Sequence, residues 1–200
     1  STRAGSAKIA GGVAVRVAGQ TRMPLWSQWA IAAVEQRDLA EQARTDLTSA
    51  WVQNGDWASA SRREMRAAMQ CIVAAAFALE GWGFAHPSQQ PSTKKSGLGA
   101  SGVVRIMKRT YPVQAKDKAQ RRLLRERVGR LFELRNDLVH HRAELGDSAM
   151  HPVLGSTPRE SGTYTVEAAR EACETLKGVA ELSLLHANPR QRLRKRWPVT

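Results

Sequence analysis

Residues 131–142 read Leu-Phe-Glu-Leu-Arg-Asn-Asp-Leu-Val-His-His-Arg and close a long, basic helical pattern. In this stretch Asn136 directly follows Arg135, and four residues separate Arg135 from His140. An arginine can grip a phosphate with two hydrogen bonds, and a histidine can move protons near neutral pH. The string therefore predicts chemistry on a phosphodiester, with His141 as a second imidazole beside His140.

Around this stretch, apolar residues recur at steps of three and four in four segments, which predicts four helices with one buried face each. The segments cover residues 25–51, 59–83, about 115–142 and 165–187. The first predicted buried face includes Trp29 and Trp51, and Phe77 widens the second. Residues 103–109 add a short amphipathic helix. The pattern predicts an all-α, up-and-down four-helix bundle with one extra short helix.

The helical patterns place the domain at residues 23–187. Residues 1–22, rich in Gly, Ala and isolated basic residues, form a predicted flexible extension, and residues 188–200 a flexible basic tail. Residues 144–162 carry several Gly and Pro and are interpreted as an irregular connection that includes His151. Glu80, at the end of the second helical pattern, is interpreted mainly as a helix-end residue that reaches solvent.

The formal net charge of +13 over 200 residues favours a polyanionic partner. Cys71 and Cys173 both fall on apolar helix faces, which predicts buried free thiols in a reducing cytosol. No apolar run reaches the roughly twenty residues that span a bilayer. We therefore expect a cytoplasmic protein with no membrane as partner, and the charge by itself leaves a nucleic acid and a merely solubilising surface open.

Basic side chains crowd the third helical pattern outside its apolar stripe, and others lie in the loop before it and after His141. They predict salt-dependent phosphate contacts with little sequence preference. The predicted RNA-binding residues are Arg121, Arg122, Arg125, Arg127, Arg130, Arg142, Lys94 and Lys95.

The Arg-Asn-x-x-x-His string resembles the signature of the HEPN superfamily (higher eukaryotes and prokaryotes nucleotide-binding domains), in which a histidine follows an arginine after four to six residues. The resemblance covers roughly residues 25–187, with the motif as its specific part. It implies a metal-independent endoribonuclease that needs no cofactor and acts as a homodimer. It also implies a toxin, stress or phage-defence role, with an antitoxin or a nucleotidyltransferase as partner. Arg135, Asn136, His140 and His141 are the catalytic candidates.

Two other functions remain open from the sequence. A non-catalytic HEPN-like module would bind RNA or a partner chain without cutting, and a basic regulator would bind DNA. A metal site is disfavoured, because adjacent histidines on a helix point about 100° apart. Five residues along a straight helix turn about 140°, so Arg135 and His140 are predicted to meet through a helix bend or across two chains.

Overall fold

The structure is a computed structural model, and it describes residues 25–85, 98–110, 118–140 and 148–185. It is mostly helical, as predicted. The elements in chain order are α1 (Leu25–Val52), α2 (Trp57–Ala85), α3 (Gly99–Thr110), α4 (Lys118–His140), β1 (Ser148–His151), β2 (Gly155–Pro158), α5 (Arg159–Thr163) and α6 (Val166–Leu185). The predicted N-terminal extension and basic tail lie outside the described residues.

Helices α1 and α2 form an antiparallel hairpin joined at residues 53–56, where the Asn54-Gly55-Asp56 sequence predicts a turn. Asn54 adopts a left-handed conformation with φ of 53°, which asparagine tolerates better than most residues. The backbone N–H of Ser59 donates to Asp56 Oδ1 at 3.1 Å, so the aspartate caps the first turn of α2. This local chemistry is readable from the sequence.

Helix α2 supplies more core residues than any other helix that the structure describes, and its contact surface is built from small residues. Ala68, Ala75 and Ala76 are fully buried, and Ala33 and Ala40 of α1 are equally inaccessible. Alanine interfaces allow close backbone approach and leave no room for large rings. Trp29, Trp51 and Phe77, which the periodicity placed on the buried faces, are therefore exposed at the flanks of the hairpin.

Helix α6 packs along both α1 and α2, and its predicted buried stripe is confirmed from Val166 to Ala180. Cys71 of α2 and Cys173 of α6 are free and buried, as predicted, with their Sγ atoms 3.6 Å apart. The neighbouring Cys173 sulfur and burial together raise the pKa of the Cys71 thiol.

The segment interpreted as an irregular connection instead contains a β-hairpin, which corrects the sequence prediction. Strands β1 and β2 pair antiparallel in the register Ser148 to Pro158, and the tight turn ends at Gly155 with φ of 75°. Helix α5 then folds back so closely that a Cβ on Gly162 would meet the Ala149 side chain at 2.6 Å. Four-residue strands are too short to show a clear two-residue period, so the pattern missed them.

Among the described helices, α2 has the length and the apolar composition of a segment that could cross a membrane. The expectation that no segment reaches this length is corrected here. Of its most apolar 18-residue stretch, 61% is buried inside the protein, as in the core helix of a soluble protein. The fold is thus compatible with a soluble protein.

Candidate functional site

A cleft of about 370 Å³ opens where the C-terminal part of α2, the start of α3 and the C-terminal half of α4 meet. It is open to solvent on one side and contains both charged and small residues. Its lining residues are Glu80, Gly99, Ala100, Gly129, Phe132, Glu133, Arg135 and Asn136. The cleft therefore includes the first two residues of the Arg-Asn-x-x-x-His string.

Arg135 is held against the cleft wall by two hydrogen bonds and two aromatic rings. Its Nη2 donates to Glu80 Oε1 at 3.0 Å, and its Nη1 donates to Asn136 Oδ1 at 3.0 Å. The guanidinium carbon lies 5.4 Å from the Phe132 ring centroid and 5.9 Å from that of Phe77, within the range of cation–π attraction. Its Nε is buried and has no hydrogen-bond partner among the described residues.

Glu80 joins three helices rather than reaching into solvent, which corrects its interpretation from the sequence. Its side chain is only 13% exposed, and Oε1 accepts from the backbone N–H of Gly99 at 3.0 Å as well as from Arg135. The carboxylate thus ties the first turn of α3 to the guanidinium on α4. The sequence offered no sign of this contact, because its partners lie 19 and 55 residues away along the chain.

His140 is exposed in the last turn of α4 and shares no hydrogen bond with Arg135 within the described part of the chain. It lies four residues after Asn136, so these two residues occupy the same stripe of the helix. Asn136 is exposed too and orients Arg135 rather than His140. His141, Arg142, Lys94 and Lys95 are outside the described residues.

The basic face predicted for α4 is in part the contact surface with α6. Arg127 and Arg130 lie 3.4 Å and 3.6 Å from Glu174 and Glu171 of α6. Arg121 is buried, at 8% exposure, so the predicted RNA contact does not fit its position. The periodicity of α4 alone could not reveal that another helix supplies acids to this face.

The two remaining predicted phosphate contacts on α4 have neighbours on the same helix. Arg122 is well exposed and lies 3.4 Å from Glu126. The Nε of Arg125, which is half-buried, donates to the Arg121 carbonyl at 3.2 Å. Of the five basic residues predicted on α4, Arg122 and Arg130 are therefore the ones well exposed to solvent.

A second charged cluster, which the sequence reasoning missed, is centred on Glu64 of α2. Glu64 is 1% exposed, and Arg44 of α1 donates to both of its oxygens, at 2.9 Å from Nε and 2.6 Å from Nη2. The Val166 backbone N–H also donates to Glu64 Oε1 at 3.0 Å, and Arg44 reaches Glu167 at 2.9 Å. Glu64 lies at helical spacing from the buried residues Ala60 and Cys71. This spacing could have identified it from the sequence as a buried acid.

His151 of β1 completes this cluster. The backbone N–H groups of Val153 and Leu154 both donate to His151 Nδ1, at 3.1 Å and 3.2 Å. The ring proton therefore sits on Nε2, which lies 3.5 Å from Glu64 Oε2. Burial lowers the pKa of His151 against the opposing influence of the Glu64 carboxylate. The cluster attaches the β-hairpin and α6 to the α1–α2 hairpin.

Within the described ranges no three His, Cys, Asp or Glu side chains lie close enough together to hold a metal ion. Comparison of the chain with protein-family models, with curated proteins and with solved structures finds no significant match. The chemistry of the cleft is therefore argued from its own residues.

Proposed function

We propose that this chain is a metal-independent endoribonuclease of the HEPN type, with α1, α2, α4 and α6 as an up-and-down four-helix bundle. The observation that carries the proposal is the setting of Arg135, a guanidinium that lines an open cleft beside Asn136. Exposed His140 lies one helical turn beyond Asn136. These are the three residues of the string that resembles the HEPN signature.

In the proposed reaction the RNA 2′-hydroxyl attacks the adjacent phosphorus, and the bond from phosphorus to the 5′-oxygen breaks. His140 takes the proton from the 2′-hydroxyl or gives one to the leaving 5′-oxygen. Arg135 stabilises the charge that builds on the phosphoryl oxygens. The products are a 2′,3′-cyclic phosphate and a 5′-hydroxyl, so no electrons are exchanged and no cofactor takes part.

The geometry of α4 supports a homodimer as the working form. Arg135 and His140 are separated by about 140° of helical rotation, and α4 continues as one helix to His140. A second copy would bring its own His140 to the phosphate that Arg135 holds. The setting that we propose is cytoplasmic, in a toxin, stress or defence role, with an antitoxin or nucleotidyltransferase as partner.

The second candidate is a module that binds RNA or a partner protein without cutting, and one observation favours it. Arg135 is already paired with Glu80, and Glu133 adds another carboxylate to the cleft. A phosphate entering the cleft would have to compete with these charges. The binding of a specific DNA duplex in preference to RNA would instead favour the regulator.

The deciding experiment is incubation of the purified protein with structured RNA in EDTA, with Arg135→Ala and His140→Ala beside the parent chain. We expect cleavage by the parent that leaves cyclic phosphate ends, and a fall of about 10²–10³-fold in Arg135→Ala, the usual cost of removing one charge-stabilising donor. Arg170→Ala is the matched control, because this arginine is exposed on α6 and pairs with Glu41.

Equal cleavage by parent, Arg135→Ala and His140→Ala would overturn the proposed site. Absence of cleavage by the parent, combined with RNA binding that Arg135→Ala weakens, would establish the binding module instead. Circular dichroism of each variant separates either result from loss of the fold.

A further inference from the structure

Two exposed aromatic side chains continue the cleft wall away from Arg135. Trp29 of α1 and Phe77 of α2 are 38% and 37% exposed, and their ring centroids lie 5.1 Å apart with the planes tilted by 47°. The Phe77 ring in turn lies 5.9 Å from the guanidinium carbon of Arg135. A cation and two rings thus form one continuous surface built by three different helices.

The surface around these rings remains apolar and uncovered. Leu25 precedes Trp29 by one helical turn and is 75% exposed, and Phe84 follows Phe77 by two turns and is 54% exposed. Rings of this size rarely stay in water without a partner when they form a contiguous patch. Core packing does not explain them, because the alanine-lined interface between α1 and α2 is complete without them.

We propose that Trp29 and Phe77 form a stacking platform for an unpaired base of single-stranded RNA, next to the nucleotide whose phosphate Arg135 holds. This inference rests on the proposed function and deepens it, because it assigns a base-binding subsite beside the phosphate that Arg135 holds. The argument for this occupant is chemical complementarity. A nucleotide offers a flat π-face and an anion close together, and this surface offers rings beside a guanidinium.

The α1–α2 hairpin contains a second ring pair that serves as a matched control for the platform. Trp51 and Trp57 also form an exposed ring pair, with centroids 5.5 Å apart and exposures of 45% and 41%. They flank the turn at residues 53–56, roughly 30 Å along α1 from Trp29 at 1.5 Å per residue. This second pair has the same chemistry as the first, but no guanidinium contact of the kind that Arg135 makes with Phe77 is found for it among the described residues.

The test measures affinity for a fluorescent single-stranded RNA by anisotropy, for the parent chain, Trp29→Leu, Phe77→Leu and Trp51→Leu. Leucine keeps an apolar side chain on each helix, so the fold is preserved. Since one stacked base is worth roughly tenfold or more in affinity, we expect that loss in Trp29→Leu and a smaller one in Phe77→Leu. Trp51→Leu should bind like the parent, and an RNA with abasic positions should bind the parent as weakly as it binds Trp29→Leu.

Unchanged affinity in Trp29→Leu, or an equal loss in Trp51→Leu, would overturn the platform. A second measurement is the mass of Trp29→Leu by light scattering. If the mass changes while the RNA affinity does not, the surface around Trp29 binds a second copy of the chain, and the platform is overturned. The cleavage assay separates the two proposals. Cleavage that depends on Arg135 but not on Trp29 removes the platform alone, whereas a Trp29-dependent affinity without cleavage removes only the nuclease.

Discussion

Two arginine–glutamate pairs in this protein differ in how fully their hydrogen bonds are used. In the first, Arg44 meets Glu64 through two bonds, and a backbone N–H and His151 contact the remaining positions of the carboxylate. In the second, one nitrogen of Arg135 meets one oxygen of Glu80, and Arg135 Nε has no partner among the described residues. The Glu64 carboxylate is closed to solvent, whereas Glu80 and Arg135 line a cleft.

The difference separates a structural ion pair from a candidate site. A buried pair whose partners are all satisfied has nothing left to offer to a ligand, and its loss leaves an uncompensated charge in the core. An incompletely bonded guanidinium at a cleft can exchange one partner for a phosphate oxygen. The comparison thus predicts stability losses of different size for matched substitutions in the two places.

The largest expected effect on stability is that of Glu64→Gln. The substitution removes a carboxylate charge that is 1% exposed and faces Arg44, so we expect the free energy of unfolding to fall by about 3 kcal/mol. Glu80→Gln is the matched change in the second pair. It should cost about 1–2 kcal/mol, because cleft water can solvate Arg135. Urea unfolding followed by circular dichroism measures both, and equal losses would contradict the distinction between the pairs.

A smaller effect should appear as a pH dependence of stability that comes from His151 in the Glu64 cluster. Because the folded-state pKa of His151 is lowered, the unfolded chain binds more protons, and stability falls as the pH drops below the unfolded value of about 6.5. One such group contributes at most about 1.4 kcal/mol per pH unit. Burial opposes the ionisation of Glu167, but its hydrogen bonds to Arg44 and Thr165 outweigh burial and lower its pKa. The stability that this carboxylate contributes is therefore lost only as the pH falls below the usual range of a glutamate.

Urea midpoints at pH 7 and pH 5 test this dependence. His151→Asn keeps an acceptor near the Nδ1 position but does not titrate, so its midpoint should change less than that of the parent chain between these two values. A midpoint that falls equally in both proteins would assign the effect to other groups.

The fold was predictable where the signal is local. The three-to-four spacing of apolar residues, together with the turn at Asn54, predicted the order of the main helices. Helix periodicity depends only on residues that lie close together in the chain. The fate of the large rings was not predictable in this way. Trp29 and Phe77 match the buried period, but the alanine contacts bring α1 and α2 too close together to admit them.

The candidate site was predictable only in its residue types. Arg135 and Asn136 follow from the motif, whereas Glu80 and Phe77 come from a helix more than fifty residues away along the chain. The same limit applies to the basic face of α4, where acids of α6 pair with Arg127 and Arg130. Contacts between distant segments depend on how the helices pack, and no local pattern records them.

The smallest expected effect is that of the exposed pair between Arg170 and Glu41, which joins α6 to α1 at 2.8 Å. Both side chains are well solvated, so Arg170→Ala should change the free energy of unfolding by about 0.5 kcal/mol or less. A loss as large as that of Glu64→Gln would show that the length of the bond, rather than burial and the number of hydrogen bonds, determines how much these pairs stabilise the fold. The same urea series provides the answer.

The two buried thiols give this protein a built-in reporter of its own opening. Cys71 and Cys173 face each other where α2 meets α6, so a thiol-modifying reagent can reach them only when these helices separate. The rate of modification under native conditions therefore counts openings of this contact, without any introduced label. If both sulfurs react together, the two helices part in a single cooperative event that exposes the centre of the core.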